Sequence, residues 1–364
     1  MSTVGHSARA RVVVVEDSLV QRAKLVAVLE ADADIEVVGE ATTALEAIAL
    51  VASLRPDVVT LDLNIPDGGG QYALERIMAS TPTPILVLSS TVSDESSAPA
   101  VEALVGGALL AVPKPPQWTA DFESELRRSV RTIRNVPVIR HMRGRLSSLP
   151  ARPARASSLS PALPTSNGRV NKAESCVVAI AASTGGPPAL ATVLEGLANL
   201  KAPVLIVQHI HPDFVKGLVD WMARVSPLEV VIAVHGQALR SGYVHIAPGG
   251  THLRIGRDWR IELVDTPATL HRPSADQLFE SVASHASEKG IGVLLTGMGD
   301  DGAAGLAAMH RSGALTIAQD QATSAVFGMP RAAQRLGVVD QQLPLQAIAA
   351  AILRGAQNRA SVRS

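Results

Sequence analysis

The strongest constraint on the fold is a repeated alternation of short apolar runs with helical patterns. Helical patterns at 18–31 and 43–54 separate the first of these runs. Strands that alternate with helices predict a parallel sheet covered on both faces. We therefore expect an α/β domain with a doubly wound parallel sheet at about 10–130. Its five predicted strands are 11–15, 35–39, 57–63, 84–90 and 108–115.

The C-terminal half of the chain, at 174–358, repeats this alternation. Its apolar runs are SCVVAIAAS, PVLIVQHI, GIGVLLTGMGDDG and ALTIAQD, and each leads into a turn or a helical pattern. We expect a second doubly wound domain with a parallel sheet. The length of 364 residues agrees with two domains of roughly 100–200 residues each.

The segment that joins the two halves, at 131–173, has a different composition. It is rich in Pro, Ser, Ala and Arg, and no Asp or Glu occurs between Glu125 and Glu174. A segment with so few apolar groups cannot bury much surface, which predicts a flexible linker. Its arginines are interpreted as a solvated tether or, alternatively, as a docking segment for an anionic partner.

The composition argues against several classes of function. The 33 basic and 33 acidic side chains balance, and aromatic residues are few, so we expect no nucleic-acid partner. The single cysteine, Cys176, excludes an internal disulfide and a cysteine-based metal site. The sequence shows neither a signal peptide nor an apolar run of about 18 residues, so we expect a cytoplasmic protein without direct membrane insertion.

Polar side chains end four of the predicted strands in the first domain. Glu16 and Asp17 follow the first strand, Asp62 ends the third, Ser89 the fourth and Lys114 the fifth. The carboxyl ends of parallel strands meet at one edge, so these groups converge. Clustered carboxylates repel one another unless a hard cation such as Mg²⁺ joins them, and a lysine opposite can pair with an incoming anion. A single Asp after a strand is more often a helix cap.

This set of residues resembles the receiver domain of response regulators, over about 10–130. The resemblance implies a flavodoxin-like fold with Asp62 as the phosphorylation site. It also implies that Glu16, Asp17 and Asp62 hold Mg²⁺ and that Ser89 and Lys114 contact the phosphoryl group. The implied partner is the sensor histidine kinase that phosphorylates the domain.

The first domain departs from the receiver pattern in two places. Ala111 stands three residues before the lysine, where the family often has an aromatic residue that takes part in switching. The segment after Asp62 reads LNIPDGGG rather than the family's usual Met-Asp-Gly. The phosphorylation pocket is complete, whereas the route by which it signals is open.

The second domain begins with an apolar strand that ends abruptly on a serine. Ser183 stands in the frame Ala-Ala-Ser-Thr-Gly, which is a small-residue variant of the nucleophile elbow. Such a turn presents the hydroxyl at the edge of the sheet, beside a helix N-terminus that favours negative charge. The alternative is a helix N-cap followed by a Gly-Gly-Pro-Pro turn.

A serine nucleophile needs a base and an orienting acid. His209 ends the next apolar strand, and Asp300 and Asp301 lie in the glycine-rich turn after a later one. Neighbouring strand ends can thus supply Ser, His and Asp, although the pattern alone does not choose between the two aspartates. The competing hypothesis is a metal site formed by His209 and His211 with further ligands from His235, His245 and His252.

The second domain resembles the catalytic domain of the chemotaxis protein-glutamate methylesterases, over about 174–355. The motifs that carry the resemblance are ASTGGP, VQHI, LTGMGDDGAAGL, IAQD and FGMPRAA. It implies a Rossmann-like serine hydrolase fold in which Ser183 is the nucleophile, His209 the general base and Asp301 the orienting carboxylate. The N–H of Met298 is the implied oxyanion donor, and no cofactor is implied for the esterase. His211 departs from the family, which more often has proline there.

The two resemblances together imply a phosphorylation-regulated hydrolase with methylated chemoreceptors as partners. It would remove methyl groups from glutamate side chains of these receptors, and some family members also deamidate receptor glutamines. One alternative is the same chemistry in a non-flagellar chemosensory pathway. The other is a non-enzymatic protein that binds receptors under the control of phosphorylation.

Overall fold

The computed structural model describes residues 9–90, 97–136, 138 and 176–361. The chain divides into two compact units, Met1–Ser147 and Ser148–Ser364. The predicted linker, 131–173, lies outside the described residues except for 131–136 and 138. Within that exception, 131–133 form the end of the last helix of the first unit.

The first unit contains a five-stranded parallel sheet of order β2-β1-β3-β4-β5. The strands are β1 (Ala10–Val15), β2 (Ile35–Ala41), β3 (Val58–Asp62), β4 (Ile85–Ser90) and β5 (Leu110–Lys114). The helices are α1 (Leu19–Glu30), α2 (Ala44–Leu54), α3 (Gly69–Ser80), α4 (Ser97–Val105) and α5 (Ala120–Ile133). Helices α1 and α5 pack together, as do α2 with α3 and α3 with α4. This arrangement covers both faces of the sheet, as predicted.

Local sequence explains where the helices of the first unit begin. Ser18, Thr43 and Thr119 precede α1, α2 and α5, and each side chain accepts a hydrogen bond from a backbone N–H of the first turn. The valines of β1 are buried because helices cover both faces of this interior strand. The acidic residues that follow β1 and end β3 therefore emerge at the same edge of the sheet.

The second unit contains a seven-stranded sheet of order β14-β13-β12-β6-β7-β9-β8, in which every described strand pair is parallel. Its strands are β6 (Val177–Ala182), β7 (Val204–Gln208), β8 (Glu229–Ile232), β9 (Tyr243–Ile246), β12 (Gly290–Leu294), β13 (Leu315–Gln319) and β14 (Gln341–Leu343). An antiparallel hairpin, β10 (His252–Ile255) with β11 (Ile261–Val264), stands apart from the sheet.

The helices of the second unit form two groups. Helix α6 (Gly186–Glu195) packs against α7 (Val215–Val225) and α11 (Leu345–Ser361). Helix α8 (Ala275–His285) packs against α9 (Ala303–Arg311) and the β10–β11 hairpin, and α9 contacts α10 (Met329–Arg335). The predicted α/β class with two parallel sheets is confirmed. The hairpin was not predicted, since its strands are only four residues long.

The single cysteine, Cys176, is buried immediately before β6. Among the described residues, no helix has both the length and the apolar character that crossing a bilayer requires.

Candidate active site and acidic pocket

The serine that follows β6, Ser183, stands in a turn that requires glycine. Gly185 has a φ of +73°, and a Cβ there would lie 2.5 Å from Ala325 Cβ. A Cβ at Gly186 would lie 2.0 Å from Gln208 Oε1. Larger residues would push this turn away from its neighbours, so the Gly-Gly pair allows α6 to start directly behind Ser183.

A buried glutamine joins the predicted nucleophile to the predicted base. Gln208 Nε2 donates to the carbonyl oxygens of Ser183 at 2.8 Å and His209 at 2.9 Å. The N–H of His209 donates to Ala182 O at 3.0 Å. The ends of β6 and β7 are thus fixed side by side, which places Ser183 and His209 at the same edge of the sheet.

The imidazole of His209 has one occupied and one free nitrogen. Its Nε2 lies 2.8 Å from Asp301 Oδ2, and because a carboxylate only accepts, Nε2 carries the proton. Its Nδ1 is buried and has no hydrogen-bond partner within the described part of the chain. No hydrogen bond therefore joins Ser183 Oγ to the ring in this conformation. Such bonds are often longer before substrate is present.

The carboxylate of Asp301 is saturated with hydrogen bonds. Besides His209, its donors are Ser274 Oγ at 2.8 Å, Ala275 N at 2.7 Å and Asp276 N at 3.1 Å. Burial alone would raise the pKa of Asp301, but the bond to His209, the charge of His209 and the two backbone amides hold the pKa well below its usual range.

Asp300, the neighbouring aspartate that the pattern alone could not exclude, is exposed. The structure therefore brings Asp301, rather than Asp300, to the histidine.

The predicted oxyanion donor lies in the loop between β12 and α9. Met298 is 39% exposed, and its N–H makes no hydrogen bond among the residues that the structure describes. The preceding residue, Gly297, accepts from Gly328 N at 3.0 Å and Met329 N at 2.9 Å. A Cβ at Gly297 would lie 2.8 Å from Ser183 Cβ, so the loop runs directly past the serine with a free N–H.

Sequence reasoning missed a second histidine at this site. The rings of His209 and His271 are stacked, with centroids 4.2 Å apart and planes 14° apart. Burial, helped by the charge of His209, lowers the pKa of His271, so a neutral ring covers the base. His271 lies in an irregular segment before α8, where no strand end or helical period indicates it.

The four other histidines of the metal-site hypothesis form no metal site in the described part of the chain. His252 is fully buried, with one ring nitrogen on a backbone carbonyl and the other on a backbone amide. Burial lowers the pKa of His245 to about 4, and His235 accepts from the hairpin backbone. His211 is exposed and accepts from Asp213 N. Within the described ranges, no group with metal-like spacing includes any of these histidines.

The predicted acidic pocket of the first unit is present. Glu16, Asp17 and Asp62 bring one carboxylate oxygen each to within 4.8 Å of the others. The buried ammonium of Lys114 bonds to both Glu16 and Asp62, whereas Asp17 is exposed. Burial, with a contribution from the charge of Asp62, raises the pKa of Glu16 against the effect of Lys114. Three carboxylates with one ammonium leave excess negative charge, which fits a hard cation with oxygen ligands.

Two further positions of the first unit lie in the neighbouring strands β4 and β5. Ser89 is buried in β4, opposite Pro113 of β5. Ala111 is partly buried in β5, opposite Val87. The small Ala111 side chain thus occupies the position at which receivers often carry an aromatic switch residue.

An acidic pocket on a five-stranded receiver-type sheet, joined to a second α/β unit, defines the class of response regulators with an effector domain. The family model described as response regulator receiver domain matches residues 12–120. The model described as CheB methylesterase matches residues 178–352.

Full-length relatives identify the family. Protein-glutamate methylesterase/protein-glutamine glutaminase 2 of Anaeromyxobacter dehalogenans is 43% identical over 97% of this chain and 98% of its own length. The protein of that name in Agrobacterium fabrum is 41% identical over 96% of this chain and 97% of its own length. The chain belongs to the protein-glutamate methylesterase/protein-glutamine glutaminase family, which confirms the predicted family and enzyme class.

A solved structure was also found, the CheB methylesterase catalytic domain of Thermotoga maritima. It is 34% identical, covers 50% of this chain and 98% of its own, and has a TM-score of 0.48.

Proposed function

We propose that this chain is a cytoplasmic, phosphorylation-regulated esterase that hydrolyses glutamate methyl esters on chemoreceptors and deamidates receptor glutamines. Membership of the family supports the substrate class. The observation that carries the proposal is the hydrogen bond from His209 to Asp301 at the strand edge where Ser183 stands. This contact leaves the lone pair of Nδ1 available to accept a proton.

The reaction is an acyl transfer to water. Ser183 Oγ attacks the ester carbonyl while His209 Nδ1 takes the hydroxyl proton, and a tetrahedral oxyanion forms. His209 then protonates the leaving oxygen, methanol departs, and a glutamyl ester of Ser183 remains. A water molecule gives a proton to His209 and attacks this ester. The glutamate side chain of the receptor is released, and His209 returns the proton to Ser183 Oγ. With a glutamine side chain, ammonia leaves in place of methanol.

Three groups assist these steps. Asp301 holds the His209 ring and stabilises the imidazolium that forms twice per cycle. The N–H of Met298, in the loop against Ser183, donates to the oxyanion, and the N–H of Thr184, which has no acceptor in the described ranges, is a second donor. A side-chain rotation of Ser183 or a small shift of His209 must form the missing Ser–His hydrogen bond when substrate enters.

The first unit acts as the phosphorylation switch. Asp62 accepts a phosphoryl group from the sensor histidine kinase of the pathway, while Ser89 and Lys114 bind its oxygens. Glu16, Asp17 and Asp62 would hold Mg²⁺, which offsets negative charge during phosphoryl transfer. In the unphosphorylated state Lys114 is engaged by Glu16 and Asp62, so it must exchange Glu16 for the new phosphoryl oxygens.

The proposal is tested with membranes that carry chemoreceptors labelled in their methyl esters. The full chain, supplied with Mg²⁺ and acetyl phosphate, should release labelled methanol, and unlabelled glutamine-bearing receptors should release ammonia. Membranes treated with buffer give the background. Receptor binding without release of either product would instead support the non-enzymatic alternative.

A further inference from the structure

We infer that Asp276 is a positioning residue for the esterase reaction, because its carboxylate fixes the start of α9 and thereby holds Asp301 against His209. This inference rests on the proposed function for its kinetic readout. Its structural basis is a pair of reciprocal contacts between the first turns of α8 and α9.

Each of the two carboxylates binds the N-terminus of the helix to which the other belongs. Asp301, two residues before α9 begins, accepts from Ala275 N and Asp276 N in the first turn of α8. Asp276 Oδ1 in turn accepts from Gly305 N, in the first turn of α9, at 2.7 Å. A displacement of either carboxylate therefore releases N–H groups of the opposite helix, which costs free energy at a buried helix start.

Close backbone contact makes this exchange possible. A Cβ at Gly305 would lie 2.7 Å from Asp276 O and 2.8 Å from Asp276 Cα. Gly302 has a φ of +92°, and a Cβ there would lie 3.0 Å from Ala275 Cβ. The two glycines of the DGAAG motif thus allow α9 to approach α8 closely enough for the Asp276 carboxylate to accept from backbone amides at the start of α9.

The Asp276 carboxylate is buried near other negative groups, so its ionised form costs free energy. Burial raises the pKa of Asp276 to about 6, the negative groups Asp301 and Glu280 contribute to the increase, and the backbone amides of Gly305 and Gly302 oppose it. Asp301 comes from the segment before α9 and Glu280 from α8 itself. Near neutral pH Asp276 is ionised, and it places a negative charge beside Asp301, whose hydrogen bond holds His209.

The test compares Asp276→Ala, Asp276→Asn and the control Asp300→Asn in the full chain. Loss of the acceptor in Asp276→Ala should lower kcat for receptor demethylation up to about 100-fold at nearly constant KM, because Asp301 and His209 lose alignment. Asp276→Asn keeps an acceptor but not the charge, so kcat should fall less and the acid limb of its pH profile should move to lower pH. Asp300→Asn removes an exposed charge and should shift the acid limb of the pH profile less than Asp276→Asn does.

A spectroscopic measurement separates this inference from the proposed function. The His209 Nε2 proton, which is held by Asp301, should give a downfield proton resonance in wild type and Asp300→Asn that is lost or broadened in Asp276→Ala. This readout does not depend on turnover, so it decides the inference even if the wild-type chain releases no methanol. Should Asp276→Ala not fold, Asp276→Asn decides, since a wild-type resonance and pH profile in that variant overturns the inference.

Discussion

The two acidic sites of the chain hold their carboxylates in opposite ways. In the first unit, Glu16 and Asp62 share one ammonium, that of Lys114, beside the exposed Asp17, and the pKa of Glu16 is raised. In the second unit, Asp301 alone receives four hydrogen bonds, and its pKa is lowered. Burial acts to raise the pKa in both sites, so the hydrogen-bond donors around each carboxylate explain the difference.

The contrast indicates what each site is prepared to do. The acidic pocket holds one ammonium against three carboxylates, a charge balance that fits an added cation. The Asp301 site is completed by the protein itself, so it is preorganised and needs no added ion to hold His209.

The largest effect should come from Ser183→Ala. Removing a nucleophile of this kind lowers kcat about 10⁶-fold, since no other group can form the acyl intermediate. Phosphorylation at Asp62 should be unaffected, because the acidic pocket belongs to the other unit. Methanol release and phosphate incorporation, measured on the same preparation, check both statements. Substantial turnover by the purified variant would contradict the assignment of Ser183.

Asp301→Asn should lower kcat about 10⁴-fold, because an amide favours the wrong tautomer of His209. The matched control is Asp300→Asn, which alters an exposed neighbour and should change kcat only slightly. The variant should also be less stable at neutral pH. A carboxyl with a lowered pKa stabilises the fold above its ordinary pKa, and this contribution is lost as the pH falls through the lowered value. Equal losses in both variants would show that the contrast between these aspartates is wrong.

The receiver resemblance predicts that the unphosphorylated first unit restrains the esterase and that phosphorylation of Asp62 relieves this restraint. A fragment from Glu174 onward should then be faster than the unphosphorylated full chain on the same membranes, by about tenfold if the restraint is worth about 1.4 kcal/mol. The phosphorylated full chain should lie between them, since Ala111 offers no aromatic switch. A fragment no faster than the intact chain would assign the first unit to targeting instead.

The smallest effect concerns stability of the first unit. Glu16 has a raised pKa, so its stabilising contribution is present below its ordinary pKa and is lost as pH rises through the raised value. At neutral pH, Glu16→Gln should therefore raise the unfolding midpoint of this unit by a few degrees. Mg²⁺ should stabilise the wild type more than the variant. Calorimetry with and without Mg²⁺ measures both, and a lower midpoint without Mg²⁺ would contradict the charge argument.

Strand-end reasoning predicts that most of the candidate residues of each unit lie at one edge of its sheet. Glu16, Asp62, Ser183 and His209 follow or end buried strands, and parallel pairing brings such positions to one edge. The same reasoning could not select Asp301, because its position depends on the turn before α9 rather than on a strand.

The residues that sequence reasoning missed belong to irregular segments or helix starts. His271 reaches His209 from a loop, and Asp276 acts through amides of a helix distant in sequence. Neither residue belongs to a periodic apolar pattern from which its position could be predicted. Asp276 reaches Gly305 only because α8 packs against α9. The sequence shows that Asp301 is followed by Gly302, but it does not show that Asp276 of α8 lies beside them.

The buried cysteine before β6 has a practical consequence. Burial raises the pKa of the Cys176 thiol to about 11, although Arg359 acts in the opposite direction. At pH 7 only about one thiol in 10⁴ is then ionised, and the thiolate is the form that reacts with labelling reagents. The native chain therefore serves as a nearly unreactive background for attaching probes. One engineered surface cysteine on each unit would carry a spin-label or dye pair whose separation reports the effect of phosphorylation directly.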